Sequence, residues 1–276
     1  MNTRDKGLEN AVATNPIDQA IPDVQSTIDT RHIAIQSVGI RSVKYPVLIE
    51  LQGQKPMPSV AEFEMTVFLP ADQKGTHMSR FIALLEEAPG TVLTVSGFRA
   101  MLVEMLQRLD APSGRIKMEL PYFLSKVAPI SGVSSLMDYQ LTLEGSATAT
   151  GQDIYLTVVV PVTSLCPCSK KISEYGAHNQ RSHVTARVQL KEDVDIAQFI
   201  SAIEQQASCE LYGLLKRPDE KYVTERAYDN PKFVEDLVRD VAIAMNKFSQ
   251  VGQYTVEAEN FESIHNHSAY ARIDRA

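Results

Sequence analysis

In the run "SHVTARVQL" at 182–190, Val184, Ala186, Val188 and Leu190 alternate with His183, Thr185, Arg187 and Gln189. Strict period-two alternation marks a strand with one face on a core and the other toward water. The same pattern recurs along the chain. "VAEFEMTVFLP" sets Phe63, Met65 and Val67 against Glu64, Thr66 and Phe68. "RHIAIQSVGIRSVKYPVLIEL", the stretches near 114–128 and 136–150, "DIYLTVVVPV", "QYTVEAEN" and "SAYARI" also read as strands. So many half-buried strands need a cover on their apolar face and partners for their edges.

Helical spacing supplies the cover. "HMSRFIALLEEA" and "SGFRAMLVEMLQRLD" follow the first strand pair, the second with Phe98, Leu102, Met105 and Leu109 in register and Pro112 as its stop. In the second half, "DIAQFISAIEQQASCELYGLL" reads as one helix, placing Cys209 inside it as a packed thiol. Asn230 and Pro231 read as an N-cap and first helical position, opening a helix with Phe233, Leu237, Val241 and Phe248 on one face. The expected architecture is α+β: tandem ββααββ modules at 29–150 and 151–276, antiparallel sheets with helices on one face, behind a polar mobile arm at 1–28. Open sheet edges then invite pairing with other subunits.

A length of 276 residues with 44% apolar content can bury a core unaided. The 27 Lys and Arg against 34 Asp and Glu give a formal charge of −7, which argues against nucleic acid or an anionic membrane surface as the main partner. An anionic substrate would need a local basic cluster. The longest apolar run, "YLTVVVPV", is too short to span a bilayer, and "MNTRDKGLEN" has no apolar signal core, so a cytoplasmic protein is expected.

Two of the three cysteines stand one proline apart in "TSLCPCSK". Reduced cytosolic thiols do not build a disulfide framework. In an extended chain Cys166 and Cys168 would lie about 6.5 Å apart and face one way, which suits a metal or a nucleophile better than a bond between them. Further candidate ligands cluster in the second half: His178 and His183, Glu220 and Glu225, then Glu262, His265 and His267. None has the spacing of a structural zinc site, but a catalytic site keeps three protein ligands that can come from distant segments. Each also has an ordinary role as a packed thiol, a solvated carboxylate or a surface histidine.

"PDVQ" at 22–25, "SLCPCSK", "GAHNQRSH", "KYVTERAYDNPKFVED" and "ESIHNHSAYA" together resemble the type IB GTP cyclohydrolase I family, from about Pro22 to the C-terminus. The resemblance implies the tunnelling fold (T-fold), in which sheets from several subunits join into a barrel, and a homotetramer. It implies ring opening of GTP at C8, with release of formate and reclosure to 7,8-dihydroneopterin triphosphate, the first step toward tetrahydrofolate. The metal ligands so implied are Cys166, His178 and Glu220, one divalent metal per site, whether zinc, manganese or iron(II), with no organic cofactor. His265 is implied as the acid that protonates N7, and Glu235 as the carboxylate that receives N1–H and the 2-amino group of guanine. His267 either orients His265 or holds phosphate, and Cys168 is either a neighbour of the metal shell or an alternative ligand. Lys170, Lys171, Arg181 and Arg187 are the basic candidates for the triphosphate. Two competing readings are a tunnelling-fold nitrile reductase of queuosine synthesis, whose Glu-Ser-Lys-Ser-type run is missing here, and a non-catalytic thiol or metal-binding module.

Overall fold

The computed structural model describes Asp23, Gln25 and residues 27–50, 55–87 and 92–276. Most of the expected arm, and Pro22 and Val24 of "PDVQ", lie outside the described residues. Along the chain run β1 (Ile35–Ile49), β2 (Met57–Leu69), α1 (Met78–Glu86), β3 (Val92–Leu93), α2 (Val95–Leu109), β4 (Ser113–Val127) and β5 (Ser134–Thr148). There follow β6 (Gly151–Leu165), α3 (Pro167–Ile172), β7 (Asn179–Leu190), α4 (Ile196–Glu204), β8 (Cys209–Glu210), α5 (Arg217–Asp229), α6 (Val234–Met245), β9 (Val251–Phe261) and β10 (Ser268–Arg275).

Nine of these strands line up in one sheet in the order β10-β9-β7-β6-β5-β4-β2-β1-β3, with β8 beside β6. Every pairing is antiparallel except β1 with the two-residue β3. The alternation in the sequence fixes which face is which. Val184, Ala186, Val188 and Leu190 of β7 are buried, as are Ile154, Leu156, Val158, Val160 and Val162 of β6. They share one core with Phe81 of α1, Phe98 and Leu102 of α2, Phe199 of α4 and Leu237 and Val241 of α6. Fully burying one such aliphatic or aromatic side chain contributes about 1.5–3 kcal/mol, so this helix-covered face stabilises the sheet. The opposite face carries Glu64, Lys117, Glu144, Arg187 and Glu257 and is not closed by those helices.

Local chemistry sets the helix ends. Thr94 caps α2 by accepting from Gly97 N–H at 2.9 Å, and Asp195 caps α4 by accepting from Gln198 N–H at 3.1 Å.

The structure corrects three sequence expectations. The long helix expected from Asp195 ends at Glu204. Cys209 is buried as expected but sits in β8, because Cys209 and Glu210 pair with Thr163 and Val162 of β6. The charge-rich stretch around Glu220 and Glu225, whose sequence reads as a connection between helices, is the helix α5, opened by Pro218 and with only Asp219 and Ala227 buried. Asn230 therefore ends α5 instead of opening the next helix, and Phe233 is the N-cap of α6.

Candidate active site

Cys166 and His178 stand where β6 ends, β7 begins and β9 ends. Cys166 follows the last residue of β6, is half-buried, and donates its backbone N–H to the His178 carbonyl at 3.4 Å. Between them the chain makes α3 and returns through Gly176 at φ +102°, a left-handed conformation that strains any residue with a Cβ. Lys232 N–H donates to the Leu165 carbonyl at 3.2 Å, so the start of α6, three residues before Glu235, is tied to the same strand end. Glu235 is exposed on the first turn of α6.

A polar ladder lies under this end of the sheet. Ser182 is buried, lies 2.7 Å from the Ser164 hydroxyl and donates to Asn260 Oδ1 at 2.7 Å. One step outward, Gln180 Nε2 donates to Glu262 Oε1 at 2.8 Å. A further step outward, His178 Nδ1 lies 2.8 Å from Ser263 Oγ. His178 Nε2 is buried and has no hydrogen-bond partner among the described residues. Buried ring nitrogens are nearly always paired, so an unpaired one on the residue whose carbonyl receives Cys166 N–H is a nitrogen that a metal ion could satisfy.

Pro167 is the first residue of α3, which overturns the extended chain on which the expectation of two parallel thiols rested. Cys166 is the N-cap of α3 and Cys168 its second residue, and Cys168 is exposed while Cys166 is half-buried. His265 and His267 are exposed in the six-residue turn 262–267 between β9 and β10, not on a strand. Their rings still stack, with centroids 5.1 Å apart and planes 16° apart.

Glu220 is exposed on the first turn of α5. Among the described residues no group of three His, Cys, Asp or Glu side chains is gathered closely enough to hold a metal, so Cys166, His178 and Glu220 do not form a complete shell within one chain. The basic candidates are likewise dispersed. Lys170 donates to the Tyr228 carbonyl and lies 4.1 Å over its ring. Lys171 is exposed, and Arg181 projects from the face of β7 opposite to Gln180 and Ser182. Arg187 stacks 3.8 Å over Tyr155 and pairs with Glu144 at 3.4 Å.

The residue beside Glu220 explains how α5 is held. Asp219 is fully buried, and its carboxylate accepts from Ile130 N–H, Ser131 N–H and Lys216 N–H at 2.8 Å each and from the Ser131 hydroxyl at 2.6 Å. Burial pushes its pKa up, but these donors, Ser131 foremost, outweigh it and hold the carboxyl well below the usual range. With the folded value below the unfolded one, this stabilisation is present at neutral pH and fades as pH falls below about 4. Asp219→Asn should therefore lower the thermal midpoint at pH 7 and make it less sensitive to pH between about 5 and 3, as measured by calorimetry across that range. Sequence patterning missed Asp219. The Lys-Arg-Pro-Asp run, an acidic residue one place after a helix-opening proline, was the signal available.

Comparison with known proteins gives this geometry a family. The family model described as "Type I GTP cyclohydrolase folE2" matches residues 21–271. "GTP cyclohydrolase FolE2" of Burkholderia ambifaria (strain MC40-6) is 60% identical over 255 residues, covering 92% of this chain and 94% of that one. The protein of the same name from Janthinobacterium sp. (strain Marseille) is 59% identical over 275 residues, covering 99% and 98%. The chain belongs to the type I GTP cyclohydrolase FolE2 family, a family of enzymes. Among solved structures, uricase from Arthrobacter globiformis gives a TM-score of 0.49 at 9% identity, covering 87% of this chain and 93% of that one. Urate oxidase from Bacillus sp. TB-90 gives 0.44 at 9% identity, covering 88% and 100%. Among the described residues, no helix is long and apolar enough to cross a membrane.

Proposed function

We propose that the chain is a type IB, metal-dependent cytoplasmic GTP cyclohydrolase that converts GTP and water into 7,8-dihydroneopterin triphosphate and formate, the opening step toward tetrahydrofolate. The observation that carries this reading is the 60% identity, over 92% of the chain, to a protein named GTP cyclohydrolase FolE2. The unpartnered Nε2 of His178, whose backbone carbonyl receives Cys166 N–H, supports the metal dependence.

In this reading Cys166, His178 and Glu220 hold one zinc, manganese or iron(II) ion, a mixed set of soft and hard donors that suits several metals. When bound, the ion lowers the pKa of water toward neutrality and so supplies a nucleophile at working pH. The remaining steps belong to the chain. Glu235 accepts N1–H and the 2-amino N–H of guanine together, fixing the base with C8 toward Cys166 and His178. As water adds at C8, His265 delivers a proton to N7, and it is the side chain best matched to that task near neutral pH. His267, stacked on it, restricts its ring. Lys170 and Arg181 are assigned to the triphosphate, and Cys168 borders the metal shell.

One chain gathers no three-donor group among its described residues. In this reading the shell is completed by assembly, in a homotetramer of tunnelling-fold subunits built from tandem modules at 29–150 and 151–276. Open edges at β10 and β3 suit such pairing. The test is formate release from GTP by the purified chain, with mass followed by light scattering. Formate and a dihydropterin triphosphate from a tetramer that loses activity on dilution is the expected result. NADPH consumption with a nitrile substrate and no formate from GTP would contradict it.

A further inference from the structure

The contact between the β9–β10 turn and His178 has a consequence for which nitrogen of the imidazole carries the proton. His178 immediately precedes β7 and Gln180 is its second residue, and they reach consecutive residues of the turn: Gln180 donates to Glu262 at 2.8 Å, and His178 Nδ1 meets Ser263 Oγ at 2.8 Å. Ser263 is exposed, so its hydroxyl hydrogen is free to bond water. His178 Nε2 is buried and unpartnered among the described residues. Of the two neutral tautomers, Nε2–H would bury a donor with nothing to receive it, an arrangement that native structures avoid. The other places the proton on Nδ1, where Ser263 Oγ accepts it, and leaves a lone pair on Nε2.

We propose that Ser263 is a positioning residue: by accepting Nδ1–H it holds His178 in the tautomer and ring orientation whose buried Nε2 is ready to ligate a metal ion. This rests on the reading of His178 as a metal ligand. A ligating histidine needs a neutral ring and a partner for its other nitrogen, and losing that partner typically weakens metal binding 10- to 100-fold. Because Ser263 stands two residues before His265, the same bond ties the turn bearing the proton donor to the metal side of the site.

The test uses full-length chain stripped of metal with a chelator and then titrated with Co²⁺. The charge-free ring tautomer of His178 is read beforehand by ¹⁵N NMR. In the unsubstituted protein the proton should be on Nδ1. Ser263→Ala should fold with an unchanged thermal midpoint, shift His178 toward the Nε2–H form and bind Co²⁺ about 10- to 100-fold more weakly, whereas Ser263→Thr, which keeps the hydroxyl, should restore both. An alanine variant with the original tautomer and Co²⁺ affinity within about twofold of the original overturns the proposal. So does weakened binding in both variants without a change of tautomer. If the tautomer shifts as described but the unsubstituted protein binds no Co²⁺, tautomer control by Ser263 stands and the reading of His178 as a ligand fails.

Discussion

His178→Ala should fold as the unsubstituted chain does, carry no bound metal, and release formate from GTP roughly a thousandfold more slowly or worse. The fold survives because His178 is only half-buried and its side chain's one hydrogen bond among the described residues is to an exposed serine, while its backbone carbonyl still receives Cys166 N–H. The core beneath it, from Val184 to Leu190, is untouched. Activity falls because a Lewis-acidic metal is worth several kcal/mol to such a reaction, and each 1.36 kcal/mol is a factor of ten. Cys166→Ala should behave alike, losing metal and turnover together. Cys168→Ala should keep its metal, since Cys168 is exposed on the first turn of α3 while Cys166 is half-buried beside the strand ends. Metal analysis and formate assays on the three variants decide this, and a metal-free Cys168→Ala beside a loaded Cys166→Ala would reverse the roles of the thiols.

The second large effect separates acid catalysis from metal binding in the turn 262–267. His265→Ala should retain its metal and its affinity for GTP, yet turn over about 100-fold more slowly, the usual scale for a lost general acid. Glu235→Ala should show the complementary defect. Its metal stays, but GTP binding weakens and preference for GTP over inosine 5′-triphosphate, which lacks the 2-amino group, collapses, because a carboxylate answering two donors discriminates strongly. The turn geometry sharpens the first expectation. His265 and His267 stack and are exposed, so neither ring is buried against Cys166 within the chain. A metal-free His265→Ala would place that histidine in the shell and undo its assignment as the acid.

What was legible in the sequence follows from what each element buries. Strands such as β7 and β2 alternate cleanly because one face meets the helices, and α2 shows its stripe because Phe98, Leu102, Met105 and Leu109 all reach the core. By contrast, α5 buries only Asp219 and Ala227, so it has no apolar stripe to read and passed for a loop. At six residues, α3 is too short for periodicity, and without it the Cys-Pro-Cys run looked extended. The helix expected through Cys209 stops early for a tertiary reason: Ser208 Oγ receives Leu165 N–H and Cys209 pairs with β6, and no local pattern announces either contact. His265 and His267 kept a strand-like spacing in a segment whose ladder stops at the pairing of Phe261 with Ser268. The site residues were named through family motifs. Their hydrogen-bonded supports, Ser164, Ser182, Asn260 and Ser263, came only from the fold.

The central claim is that this chain opens the GTP ring with a metal held by Cys166 and His178. The most direct test adds a divalent metal stepwise to the metal-stripped protein and records bound metal and formate release from GTP on the same samples. Formate release that is absent at the start and rises in proportion to occupancy, reaching its plateau at one ion per active site, is the predicted result. Undiminished formate release from metal-free protein, or no formate at full occupancy, would contradict it.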